Sequence, residues 1–88
     1  MGRSFDIKAS FWPLFGLYVC AVDKRGRVHK GRIIDVGRAD DNDSGEDSIG
    51  IVTRPKDREG VDLDRSEIVS IEILDDDEIT EDIRLDVY

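Results

Sequence analysis

The first stretch with a chemical pattern is an acidic run whose oxygen ligands have the spacing of a calcium-binding loop. Asp40, Asn42 and Ser44 would supply ligands, and Gly45 stands where such a loop turns sharply. The Glu that should close the loop is replaced by Ile51, and no helical pattern flanks the run. We therefore interpret it as a solvated acidic loop and predict no metal site, although weak, unspecific Ca²⁺ binding stays open.

A second charged pattern is basic and has three interpretations. The segment could bind a nucleic-acid backbone through Lys30 and Arg32, pair with the chain's own acidic segments, or form an ordinary solvated face. Residues 1–39 carry a net charge of +5 and residues 40–88 one of −13, which disfavours phosphate as a ligand. The members of this basic segment are Lys24, Arg25, Arg27, His29, Lys30 and Arg32.

Five of the six aromatic residues lie between Phe5 and Tyr18. A helix is not expected there, because proline and glycine interrupt the segment. One interpretation is a lead-in that caps one end of the core with Phe11, Trp12 and Phe15. The alternative is an exposed aromatic patch for a partner or for dimerisation.

The residue types needed for catalysis do not form a recognisable constellation. His29 is the only histidine, and the only cysteine, Cys20, lies in an apolar strand where a thiol is usually inert. There is no Cys/His zinc cluster, phosphate-binding glycine loop or nucleophile elbow. We predict no catalytic residue, no cofactor and no enzyme activity, and the single cysteine fits a cytoplasmic setting.

The longest apolar run is Phe11–Val22, which Pro13 and Gly16 interrupt. It is too short to span a bilayer, so we expect no membrane partner.

Alternating apolar and polar residues predict five short strands. Three are Leu17–Val22, Arg27–Gly37 and Ser48–Thr53, and two lie in Val61–Leu74 on either side of a tight turn at Asp64–Glu67. The apolar phase of the second strand slips, and Gly31 at the slip predicts a sharp bend. The residues that we expect to be buried are Ile33, Ile51, Leu63 and Ile71.

These elements predict an all-β fold: a five-stranded SH3/Sm-like small barrel with a short helical turn before its last strand. Residues 1–16 form the aromatic lead-in, residues 17–74 the barrel, and residues 75–88 an acidic tail. Ile83, Leu85 and Val87 alternate with polar residues, so Arg84–Tyr88 is a candidate extra strand, and a solvated tail is the alternative.

The runs VHKGRIIDV, SIGIVT and VDLDRSEIVSIEIL resemble Sm-like and SH3-like barrels, and in particular short uncharacterised bacterial Sm-like proteins, over residues 17–74. Gly31, Ile33 and Val36 match the spacing of the first Sm motif. Gly37 and Asp41 stand where that motif has Asp and Asn, and Arg65 is followed by Ser66 rather than by the Gly of the second motif. Those positions contact RNA in the family, so these departures count against an RNA ring.

The most consistent function is a non-catalytic protein-interaction or adaptor module in the cytoplasm, with a protein partner and with homo-oligomerisation left open. Candidate contacts are Phe11, Trp12, Phe15, Lys30 and Arg32. One alternative is an Sm-like RNA binder, and another is an acidic inhibitor that mimics nucleic acid. The identity of the partner and the biological process are not encoded in any motif.

Overall fold

The computed structural model describes residues 2–43 and 45–84, and within them the chain is all-β. It has six strands and five single turns of 3₁₀ helix, and none of the described residues forms a helix long and apolar enough to cross a membrane. The strands are β1 (Arg3–Phe5), β2 (Tyr18–Asp23), β3 (Val28–Gly37), β4 (Ser48–Arg54), β5 (Glu59–Asp64) and β6 (Ile68–Ile73).

The strands form one antiparallel sheet in the order β1-β6-β2-β3-β4-β5. The prediction of an all-β fold is confirmed, but the strand count is six rather than five, and β1 and β5 remain as outer strands without closure of the sheet. The additional strand pairs Arg3 with Ile73 and Phe5 with Ile71. It lies in the lead-in, where the alternation of Phe5-Asp6-Ile7-Lys8 suggests a short strand; the observed strand ends at Phe5, and Ile7 and Lys8 lie in a turn.

The tight turn predicted between the last two strands is a 3₁₀ turn, Arg65–Glu67. The Asp64 side chain accepts from the backbone of Glu67, and the Glu67 side chain accepts from the N–H of Asp64, a reciprocal cap. This turn takes the chain from β5, an outer strand, to β6 on the other half of the sheet. Because three residues make that connection, the sheet has to curl around its core.

The core lies inside that curl. All four residues predicted to be buried, Ile33, Ile51, Leu63 and Ile71, are almost completely inaccessible. The lead-in also contributes to the core, which the strand pattern alone did not indicate. The buried cluster is Phe11, Leu14, Val19, Ala21, Ile33, Ile49, Ile51, Leu63, Ile68 and Ile71.

β3 is shared between two neighbours, because it pairs with β2 up to Arg32 and with β4 from Arg32 onward. Gly31 is buried next to this change of partner, and a Cβ there would collide with the carbonyl oxygen of Val52. The register shift itself lies between Ile33 and Asp35. The prediction that Gly31 marks the slip is therefore wrong in position: Gly31 permits close approach of β4, and the bulge follows it.

Candidate interaction surface

Arg65 fastens the aromatic lead-in to the sheet. From the turn before β6 its Nη2 atom donates to Asp47 Oδ2 at 2.8 Å and to the Ala9 carbonyl at 2.9 Å, and its Nη1 atom donates to the Ile7 carbonyl. The guanidinium carbon also lies 4.1 Å from the centre of the Phe11 ring. One side chain thus fixes the path of residues 7–11, and we call these contacts the Arg65 clamp.

Asp47 connects this clamp to the loop between β3 and β4. Its Oδ1 atom accepts from the Ala39 N–H at 2.9 Å while Oδ2 accepts from Arg65. The hydrogen bond from Arg65 holds the pKa of Asp47 below its usual value, and the bond from Ala39 acts in the same direction. The carboxylate is therefore charged at neutral pH and holds both segments in place.

The lead-in has one buried and one exposed face. Phe11 and Leu14 are buried in the core, whereas Trp12 is 64% exposed and Phe15 is 55% exposed. The two exposed rings lie with their centroids 6.0 Å apart. The three predicted aromatic contacts are thus separated: Phe11 is part of the core, and Trp12 with Phe15 forms what we call the aromatic surface.

A cleft of about 510 Å³ opens beside Trp12. Trp12 and Val36 supply apolar walls, and Arg38 and Asp40 bring charges of both signs to it. Such a lining suits an apolar side chain carried by a polar backbone. The residues around the cleft are Ser10, Phe11, Trp12, Val36, Gly37, Arg38, Asp40 and Asp47.

Two members of the basic segment are engaged in contacts within the fold. Arg32 is half-buried, and its Nε atom donates to the Gly16 carbonyl at 3.0 Å. His29 Nε2 lies 2.9 Å from Asp23 Oδ2. Lys30 is exposed on β3, opposite Cys20 of β2. The structure therefore places Arg32 next to the lead-in, whereas Lys30 lies two residues earlier in β3.

Asp23 organises the hairpin between β2 and β3. Its Oδ1 atom accepts from the N–H groups of Arg25 and Arg27 at 2.8 and 3.0 Å, and its Oδ2 atom contacts His29. The hydrogen bond to His29 lowers the pKa of Asp23. Burial acts in the opposite direction, and the two backbone N–H donors lower the pKa further. The contact of Asp23 with His29, six positions along the chain, depends on the pairing of β2 with β3.

Cys20 is half-buried in the middle of β2. Burial raises the pKa of its thiol, and the nearby positive charge of Lys30 offsets this only in part. A raised pKa leaves little thiolate at neutral pH, which fits an unreactive cysteine.

The acidic segments have structural hydrogen bonds of their own. Carboxylate oxygens of Asp75, Asp77 and Glu78 lie within 4.8 Å of one another, but Asp75 and Glu78 form the reciprocal cap of a 3₁₀ turn. In the β3–β4 loop, Asn42 Nδ2 donates to the Glu46 carbonyl at 2.6 Å and to Ser48 Oγ at 3.0 Å. Asp75, Glu78 and Asn42 are therefore engaged in hydrogen bonds within the fold.

Comparison with protein-family models, curated proteins and solved structures found no match to this chain. The resemblance to Sm-like and SH3-like proteins therefore stays a prediction that rests on the sequence pattern.

Arg65 and Asp47, whose hydrogen bonds hold the lead-in and the β3–β4 loop in place, were not predicted as site residues. The available signal was a single cation, Arg65, within the acid-rich run Asp62–Glu67. A cation in that setting usually indicates a local surface ion pair. Its partners instead include two carbonyl groups of the lead-in, which no local pattern identifies.

Proposed function

We propose that this protein is a non-catalytic protein-interaction module, and that the aromatic surface with its adjoining cleft contacts the partner. The observation that carries the proposal is the exposure of Trp12 and Phe15 on a segment that Phe11, Leu14 and Arg65 hold in place. Aromatic rings on a fixed backbone bury large area at low entropic cost. An exposed pair beside a cleft is thus a suitable anchor for a partner chain.

We also propose that the curled sheet is a small barrel of the SH3-like or Sm-like kind. Three features support this assignment: a long β3 shared between two neighbouring strands, a single 3₁₀ turn between the last two strands, and the short connections that make the sheet curl. The outer strands β1 and β5 leave that barrel open.

RNA binding is the weaker proposal. Arg32 donates to the Gly16 carbonyl. Arg65, which stands where the second Sm motif has its Arg, donates to Asp47 and to the lead-in. The Nε atom of Arg32 and both terminal nitrogens of Arg65 are thus engaged within the fold, which reduces the donors available to a phosphate backbone. A salt-titrated binding assay tests this: RNA binding would weaken steeply with salt and would require Lys30 and Arg32.

An acidic inhibitor that mimics nucleic acid is the remaining proposal. It rests on the exposed carboxylates of Asp40, Asp41 and Asp43 in the β3–β4 loop. Such a protein would compete with DNA for a basic partner, and substitution of these acids by Asn would abolish the competition.

The decisive experiment compares the double variant Trp12→Ala/Phe15→Ala with Val69→Ala, which removes an exposed apolar side chain from β6. Tagged full-length proteins are purified from their native source, and the co-purifying proteins are quantified. We expect the double variant to lose a specific partner at an unchanged melting temperature, while Val69→Ala retains it. Identical partner profiles for all three proteins would contradict the assignment of this surface.

The sole tryptophan gives a direct second readout. When the purified partner is titrated into the wild-type protein, the emission of Trp12 should shift to shorter wavelength as the ring leaves water. Sedimentation of the isolated protein shows separately whether the partner is a second copy of the same chain.

A further inference from the structure

Residues 75–84 of the acidic tail fold back towards the sheet. After β6, the chain makes a 3₁₀ turn at Asp76–Glu78 and a second turn in which the N–H groups of Ile83 and Arg84 donate to the Thr80 carbonyl. Ile83 is only 5% exposed, although it does not belong to the main core cluster. This aliphatic residue of the acidic segment is therefore buried at a position outside the main core cluster.

That place lies at the beginning of β3 and the end of β4. Ile83 shares a cavity of about 620 Å³ with Val28 and Lys30 of β3 and with Thr53 and Arg54 of β4. We call the surface formed by these four sheet residues the tail groove. Val28 is still 57% exposed, so residues 80–84 cover the groove only in part.

The charges of the two sides are complementary in part. Asp82 lies at the same cavity as Lys30 and Arg54, whereas Glu59, whose Oε2 atom lies 3.9 Å from Arg54 Nε, adds a negative charge to the sheet side. A hydrogen bond from the Thr80 hydroxyl lowers the pKa of Asp82, and the positive charges of Arg54 and Lys30 lower it further. The acidic turn is thus held by one aliphatic anchor together with a favourable electrostatic field.

We propose that the tail groove is a binding site for an acidic peptide segment with one aliphatic anchor, and that the chain's own Thr80–Arg84 segment closes this site in the free protein. The ligand chemistry follows from the present occupant, in which Glu81 and Asp82 precede Ile83. The groove lies at the opposite end of β3 from Val36 and the cleft beside Trp12. This second site therefore does not depend on the function proposed for the aromatic surface.

Tethering makes the closed form the default state. A segment joined by a short linker has an effective concentration on the order of millimolar, so a dilute competitor does not displace it. The affinity of any competitor is reduced by the fraction of open molecules. A partner segment that covers the exposed side chain of Val28 more fully than residues 80–84 do gains apolar contact, which allows it to compete.

The test uses a fluorescent peptide with the sequence of residues 75–84 and three full-length proteins: wild type, Ile83→Asp, and Ile83→Asp/Lys30→Glu. Ile83→Asp removes the anchor and should open the groove without disturbing the main core. If the tail is docked in more than about nine molecules of ten, opening raises the affinity for the peptide at least about tenfold. Lys30→Glu in the opened protein should reverse that gain.

Three results would overturn the proposal. One is equal peptide affinity for wild type and Ile83→Asp, and another is a gain that Lys30→Glu leaves intact. The third is cooperative unfolding of both Ile83→Asp and the milder Ile83→Ala, because the tail would then belong to the core rather than to a separable site. Trp12→Ala/Phe15→Ala should bind the peptide as the wild type does, which keeps the two surfaces distinguishable.

Discussion

Arg65 shows how one side chain can supplement the apolar packing of an irregular segment. Phe11 and Leu14 anchor the lead-in in the core, and Arg65 adds contacts to two carbonyls, one carboxylate and one ring. The planar guanidinium suits this task because its donors point in several directions at once. Lysine offers the same charge on a single atom and cannot satisfy these partners together.

We therefore predict that Arg65→Ala lowers the free energy of unfolding by about 1.5–3 kcal/mol, the usual contribution of hydrogen bonds to charged groups. Arg65→Lys should recover only part of this loss, and Lys56→Ala, which removes an exposed cation, should have almost no effect. Urea unfolding followed by the emission of Trp12 measures all three variants. Equal stability of the Lys and Arg proteins would show that charge alone matters at this position.

The Asp23 carboxylate gives the stability a pH dependence of known sign. Its folded-state pKa is lowered from the ordinary value of 3.8, so the unfolded chain binds more protons where the two values differ. Its contribution is complete well above pH 3.8 and is lost as the pH falls through the folded-state pKa.

In Asp23→Asn this part of the acid sensitivity should disappear, while Asp47, whose pKa is lowered as well, retains its own. Chemical unfolding at a series of pH values from neutral to about 3 would reveal the difference in slope. Parallel curves for the variant and the wild type would contradict the role of Asp23.

At the scale of the element, β3 is the strand on which the arrangement of the sheet depends. It changes partners at Arg32, and Gly31 allows the backbone of β4 to come close at that point. Ile34 takes the bulge and is about half-exposed, which lets Ile33 and Val36 both serve the inner side despite their spacing.

Gly31→Val should lower the free energy of unfolding by about 3 kcal/mol, because its Cβ has no space beside the Val52 carbonyl. Gly31→Ala should already show most of this effect, since the first carbon causes the collision. Thermal melts of both variants provide the measurement. A destabilisation that grows steeply from Ala to Val would point to side-chain crowding instead of backbone approach.

The strands were predictable because their alternation is local. The three strands with predicted bounds, which correspond to β2, β3 and β4, differ from the observed ones by at most one residue at each end. β1 was predictable only roughly: Phe5–Lys8 alternates, but the strand covers Arg3–Phe5, a segment without periodicity that pairs with β6. The separation of Trp12 from Phe11 depends on tertiary packing in the same way. Of the predicted tail strand Arg84–Tyr88, residues 85–88 lie outside the described residues, and Arg84 is not in a strand.

At the scale of the whole molecule, a chain of 88 residues has a thin core. Domains of this size bury roughly 60–65% of their unfolded surface, and their stability lies near the lower end of the usual range. We therefore expect the buried residues to unfold as one cooperative unit, with a free energy of unfolding small enough for a single core substitution to matter.

Ile71→Ala should cost about 2–5 kcal/mol and leave the protein close to unfolded. Val69→Ala is the matched control, because it shortens a 54% exposed side chain on the same strand and should stay within about 0.5 kcal/mol. Circular dichroism during heating distinguishes them. A melting temperature unchanged by Ile71→Ala would contradict the inward orientation of β6.

We expect the pairing of β1 with β6 to form late in folding, because it joins distant parts of the chain. The β2–β3 hairpin forms from neighbouring residues, whereas Arg65 and its acceptor Ile7 are 58 positions apart in the chain. Closing such a long loop costs entropy that the rest of the sheet must first offset, so the lead-in docks late. Loss of the Arg65 clamp should then accelerate unfolding and leave the refolding rate almost unchanged. During refolding, the emission of Trp12 would report this final docking after the backbone signal of the sheet is complete.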